Sequence, residues 1–224
     1  MKKTTFIILI FFLPLSINAQ QFSFEYGKVI SKFDYKNSSG EVLANMQGST
    51  NDHLGLEFNL PIKKSNLYFI AGMLYNKYGA QSSDEILGNY YEWKINYLDV
   101  AVGIGYEFLK TNSQQNYKNT NTESAFTFYI QMYAGTEFFL QGSQTINNQV
   151  VNLKGVEQFD KPLIFAQGGI GVRYYATKSV SVFAQYMGGK SFSVFKPESA
   201  DTEKLNFITH TISLGIYIIL PAYK

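Results

Sequence analysis

The chain has no cysteine among its 224 residues. No disulfide can brace it, and no thiolate metal centre can form. A lipid anchor carried on a cysteine is excluded too. Tryptophan occurs once and histidine twice, so catalysis or metal binding through clustered imidazoles has little to draw on. Excess charge is also missing. Lys and Arg number 19 against 17 Asp and Glu, and Lys2 and Lys3 alone account for the difference. A neutral remainder gives no footprint for nucleic acid. After residue 19 no apolar run approaches the ~18 residues that a membrane-spanning helix needs. A chain of this kind can cross a bilayer only as a closed barrel, because lipid satisfies no free backbone amide.

The first nineteen residues have the order of a secretory signal. Lys2 and Lys3 give a positive start. Phe6 to Leu15 (FIILIFFLPL) is apolar but too short to span. Ile17-Asn18-Ala19 supplies the small or β-branched residues of a cleavage site. The expected division is a signal peptide over 1–19, cut at Ala19/Gln20, and one domain over 20–224.

Aromatics make up 17 % of the chain, mostly 19 Phe and 17 Tyr. Such rings suit membrane–water boundaries. They sit within strict alternation. Leu54, Leu56, Phe58 and Leu60 share one face against Gly55, Glu57 and Asn59. Leu98, Val100, Val102, Ile104, Tyr106 and Phe108 oppose Asp99, Ala101, Gly103, Gly105 and Glu107. Ser124–Phe138, Leu163–Tyr175, Val180–Gly188 and Leu205–Leu220 read likewise. Eleven residues in one run suit a tilted spanning strand, longer than the usual strand of a soluble sandwich. Leu67–Tyr78 is apolar on both faces. Phe22–Tyr35 changes phase, which predicts a bulge at Gly27. The count is eight strands. Long polar connections alternate with the short Pro61–Asn66 and Ala176–Ser179. Lys110–Ser124 breaks that alternation by being long. Ile146-Asn147-Asn148-Gln149-Val150 predicts a raised hairpin tip.

The segment Gly168–Tyr186 (GGIGVRYYATKSVSVFAQY) resembles a hairpin of small outer-membrane barrels: a Gly-rich strand, a charge with aromatics, a short turn, then a polar residue and Tyr. The chain is similar to the outer-membrane β-barrel domain family, including the transmembrane domain of outer-membrane protein A and barrels of Bacteroidetes. The resemblance implies an all-β, eight-stranded antiparallel up-and-down transmembrane barrel in a bacterial outer membrane. It implies roles ranging from anchor and adhesin to small channel. Such chains end in an aromatic residue; here Tyr223 is followed by Lys224.

The face opposite the lipid carries Glu57, Asp99, Glu107, Glu137 and Arg173. Charges inside so small a barrel need partners. They form either a structural plug or an ion-pair gate, with Arg173 expected to tie Glu107 and Glu137. His53, after Asp52 at the top of the second strand, is a weak candidate for a lipid-acting enzyme and is read as a hydrated rim residue. His210 falls on the lipid-facing parity, at the outer interface. The expected function is non-enzymatic: a structural or surface-interaction barrel, without cofactor or metal. A narrow channel and a soluble secreted β-sandwich are the alternatives. Expected partners are outer-membrane lipid and lipopolysaccharide, a surface ligand through the outer loops, no nucleic acid and no second copy of the chain.

Overall fold

In the computed structural model, residues 20–36, 45–62, 65–83, 88–113, 124–156, 159, 161–177, 179–193 and 204–220 are described. They form nine strands: β1 Gln21–Lys36, β2 Gln47–Pro61, β3 Leu67–Ser83, β4 Tyr90–Ser113, β5 Ser124–Ile146, β6 Gln149–Asn152, β7 Leu163–Tyr175, β8 Val180–Ser193 and β9 Lys204–Ile219. Each strand pairs antiparallel with its neighbour, β4 pairs with β5, and β1 pairs with β9. Eight strands therefore close a barrel. The ninth, β6, is a short arm folded back on the end of β5. Closure through the β1–β9 seam removes the free edges that a sandwich would keep.

The register fixes the dimensions. A path perpendicular to the strands runs from Phe22 through Phe58, Ala71, Val102, Ala134, Ala166, Lys190 and Ile208 to Lys32. It returns to β1 ten residues above its start, between Phe22 and Lys32. Eight strands with that stagger tilt by about 41° and give a backbone radius of about 8 Å. An interior of that width is filled by side chains and does not leave a water column.

Exposure is the inverse of a soluble protein. Val102 is 65 % exposed, Leu214 66 % and Met132 63 %, while Glu25, Glu57, Asp99, Glu137 and Arg173 are buried. The outward apolar residues form a band about 25 Å tall, the height of the hydrocarbon layer that such barrels span. The apolar face points outward, which overturns the soluble sandwich.

Two expectations change. Gly27 is no bulge: β1 pairs without interruption with β2 and β9. Even positions face outward throughout, and Val29 and Phe33 lie inside. The phase appeared to change because the lumen itself turns apolar there. A Cβ on Gly27 would collide with the Ile212 carbonyl and with Ser213 on β9; that close approach requires glycine. The irregularities fall instead between Gly48 and His53, between Asn96 and Tyr97, and between Glu107 and Leu109.

Several strands also outrun their expected ends. Strand β4 reaches 24 residues and β5 reaches 23, because the ladder continues beyond the lipid-facing band. The connection expected over Lys110–Ser124 shrinks accordingly, since Ser113 already pairs with Ser124. Asn147 and Asn148, with φ of 47° and 71°, turn β5 into β6. This is the two-residue turn whose twist suits a hairpin.

Candidate functional site

Alternation sends one side chain in two into the lumen, and the register stacks them in three storeys. The lowest lies at the end where β1 begins and β9 ends. There Arg173, 1 % exposed, donates from Nη1 to Glu107 Oε1 at 3.2 Å and to Gln21 Oε1 at 3.3 Å. Its guanidinium lies 3.7 Å from the Tyr217 ring centroid, and the rings of Tyr129, Tyr68 and Tyr175 stand 5.5–5.9 Å away. Nε and Nη2 have no hydrogen-bond partner among the described residues. The aromatic faces stand where acceptors would, and a desolvated cation is drawn to them.

The middle storey is acidic. Glu25 accepts from Gln185 Nε2 at 2.6 Å and from Ser213 Oγ, and it faces His53 Nε2 at 3.0 Å. His53 Nδ1 lies 2.6 Å from Asn76 Oδ1, and Asn76 Nδ2 donates to Asp99 at 2.6 Å. Both imidazole nitrogens thus face oxygens, an arrangement that a ring with two N–H donors satisfies. Glu57 accepts from Tyr133 at 2.5 Å and from Ser23 at 2.9 Å. Gln185 Oε1 accepts from Gln131 Nε2 at 2.7 Å and from the Tyr129 hydroxyl at 3.0 Å, which ties this storey to Tyr129 below.

The upper storey is apolar. Val29, Phe33, Tyr78, Ile95, Tyr97 and Phe207 converge, with Leu153 and Phe159 from the segment after β6 packed on them. Phe207 and Tyr97 are fully buried, and their rings meet edge to face at 5.5 Å. Tyr78 joins this cluster to the carboxylates by donating to Glu137 at 3.1 Å.

All five lumen charges expected from the sequence point inward, but they do not form one network. Arg173 meets Glu107. It does not meet Glu137, which corrects the expected pairing. Arg173 stands opposite Thr127, and Glu137 lies ten residues further along β5, opposite Leu163. That is about 33 Å along the strand. Strand neighbours share parity, but parity carries no depth. Glu57 and Asp99 lie between the two and are held by neutral donors. His53 is likewise no rim residue: it is buried in the lumen, while Asp52 beside it points outward to Lys28 and Lys77. His210 faces outward, as its parity required, 2.6 Å from the Tyr186 hydroxyl.

Glu25 was missed. The supposed phase change at Gly27 hid it, although its odd parity with Ser23 placed it inside. The neutral partners Asn76, Gln131, Gln185 and Ser213 carried no sign to match and were invisible to charge counting. No three His, Asp or Glu side chains among the described residues are placed to hold a metal ion.

No protein-family model matches the sequence, and no curated protein matches it significantly. Solved structures do. Neisserial surface protein A is 14 % identical, over 88 % of this chain and 96 % of its own, at a TM-score of 0.49. OprG, an outer membrane protein of Pseudomonas aeruginosa, is 13 % identical over 91 % and 98 %, at 0.46. The N-terminal β-barrel domain of Pseudomonas aeruginosa OprF is 11 % identical over 91 % and 98 %, at 0.44. These are likenesses of chain path.

Proposed function

We propose that the chain is an integral protein of a bacterial outer membrane, a sealed barrel without enzymatic activity that anchors and displays its loop end. The observation that carries this reading is the filled lumen. The Arg173 cage occupies one end and the aromatic cluster around Phe207 the other, with hydrogen-bonded carboxylates between them. A solute would have to displace all three storeys. The buried His53–Glu25 pair has the residue types of a general base. Yet it lies beneath Tyr78, Tyr97 and Phe207, away from any substrate approach. Catalysis needs the reacting proton within hydrogen-bond reach of the base.

The end carrying the β5–β6 arm is the one displayed outside, and the end where β1 begins and β9 finishes faces the periplasm. Cleavage after Ala19 would leave the described ladder whole, since Gln20 already takes part in the β1–β9 seam, its carbonyl accepting from Leu220 N at 2.8 Å. Export is checked by the intact mass of the chain in the outer-membrane fraction, expected to begin at Gln20. Function is checked by reconstitution in planar bilayers. A sealed barrel gives no steady conductance at moderate voltage. A reproducible ohmic step would refute it in favour of a narrow channel.

A further inference from the structure

Among the described residues, the apolar band ends upward in a row of cations on one side of the barrel. Lys28 and Asp52 face each other across β1 and β2. The pairing of His53 with Asn76 brings Lys77 beside Asp52. The result is a fixed cluster: Asp52 accepts from Lys28 Nζ at 2.7 Å, from Lys77 Nζ at 2.9 Å and from the Tyr26 hydroxyl at 3.2 Å. Lys190, Ile208 and Lys32 form one row across β8, β9 and β1. Lys190 reaches Asp34 at 3.4 Å. His210, stacked on Tyr186, is exposed beside them.

The barrel geometry gathers these groups into one belt. At the tilt derived above, each residue along a strand rises about 2.5 Å and each perpendicular step toward the next strand about 3 Å. Lys28, Lys77, Lys190, His210 and Lys32 then fall within a slab about 10 Å tall, directly above the apolar band. They span five adjacent strands, about 19 Å of wall. On the other three barrel strands the outward residues at this height include Leu98 and Asn96 on β4, Phe138 on β5 and Ile164 on β7, none of them a cation. Lys94 sits higher and is held by Glu92 at 3.1 Å.

We infer that this half-belt binds a phosphorylated lipid headgroup in the leaflet at the loop end, the class to which the phosphorylated glycolipid of a bacterial outer leaflet belongs. The inference rests on the membrane reading above. The cations project sideways from the wall, at the level where acyl chains end and headgroup phosphates begin. Their aliphatic stems lie along the apolar surface while the ammonium groups reach the interface. Asp52 does not neutralise the pair. It sets two ammonium groups side by side, each with three N–H donors and only one spent on the carboxylate. A phosphate bridging both restores charge balance. A headgroup with more than one phosphate can engage the Lys28–Lys77 pair and, further round the wall, Lys32 or Lys190.

The test uses the full mature chain, folded in nonionic micelles and studied by native mass spectrometry with added lipid. The probes are bis-phosphorylated lipid A, its dephosphorylated form, phosphatidylcholine and inorganic phosphate. Lipid A is expected to be retained, with about tenfold weaker retention in the double variant Lys28→Gln/Lys77→Gln and unchanged retention in Lys94→Gln. Equal retention of phosphorylated and dephosphorylated lipid A would overturn the inference. So would equal retention by wild type and the double variant, or binding of inorganic phosphate alone with the same dependence on both lysines. Heat-dependent gel mobility of each variant shows that the barrel is folded. A chain that never enters micelles would refute the membrane reading itself, a result distinct from a folded barrel that ignores phosphate.

Discussion

Replacing Arg173 by Met tests whether the lowest storey holds the barrel together. Arg173 is among the largest fully buried side chains of the described residues. Methionine removes the charge and keeps part of the volume. Three contributions disappear. The first is the hydrogen-bonded pair with Glu107 at 3.2 Å. Breaking a fully buried pair costs about 3–5 kcal/mol, mostly through the stranded partner. Glu107, however, is 12 % exposed at its side chain. It can take up water at the barrel end, so the lower half of that range applies. The second contribution is the stack on Tyr217 at 3.7 Å, worth about 1–2 kcal/mol when desolvated. The third, of opposite sign, is the desolvation of the guanidinium, which the variant no longer suffers. The net expectation is a loss of about 3 kcal/mol. Urea unfolding of the reconstituted barrel measures it. The only tryptophan, Trp93, lies in the upper storey and reports unfolding from the far end. Glu107→Gln keeps an acceptor for the guanidinium and should cost only about 1 kcal/mol. The double variant should cost less than the sum of the two singles. A loss below about 0.5 kcal/mol for Arg173→Met would refute the cage as a stabilising element.

Two further outcomes follow from the other layers of the wall. Val102 lies mid-band and is 65 % exposed, while Val150 on the β6 arm is 71 % exposed; Val102→Arg should destabilise the reconstituted barrel by about 2–4 kcal/mol and Val150→Arg by almost nothing, and equal costs in the same urea titration would show that the facing is wrong. Glu25→Leu removes the acceptor of Gln185, Ser213 and His53 at once. It should cost more than Glu25→Gln by about 2 kcal/mol, as read from the unfolding midpoints, and equal midpoints would refute the middle storey as a hydrogen-bonded unit.

The outward face was legible because lipid imposes one demand on it. Every second residue from Val100 to Tyr106 must be apolar, and period two shows that without any knowledge of the partner strand. The tip at Asn147-Asn148 was legible for a local reason: its two positive φ values favour Asn. What failed was β1. Its lumen-facing side runs Ser23, Glu25, Gly27, Val29, Ser31 and Phe33, polar in the lower half and mixed with apolar residues above. When both faces of a strand are apolar, alternation carries no signal and a bulge looks necessary. The chemistry of the lumen changes with height, and a strand crosses all of it.

The lumen network was less legible because charge sign is a poor guide to buried pairing. Glu25, Glu57, Asp99, Glu107 and Glu137 face inward with a single Arg. If each carboxylate needed a cation, this interior could not exist. Instead Glu57 is held by the hydroxyls of Tyr133 and Ser23, Asp99 by an amide of Asn76, and Glu137 by the hydroxyl of Tyr78. A hydroxyl or amide aimed at a carboxyl group satisfies its oxygen without the desolvation of a second ion. The tyrosines among the described residues then have two uses. Tyr26 and Tyr186 stand on the outer wall near the edge of the apolar band, while Tyr78, Tyr133, Tyr129 and Tyr217 supply hydroxyls or ring faces to buried charges. Composition counts both uses alike. Only the register, by setting depth, tells which carboxylate each hydroxyl can reach.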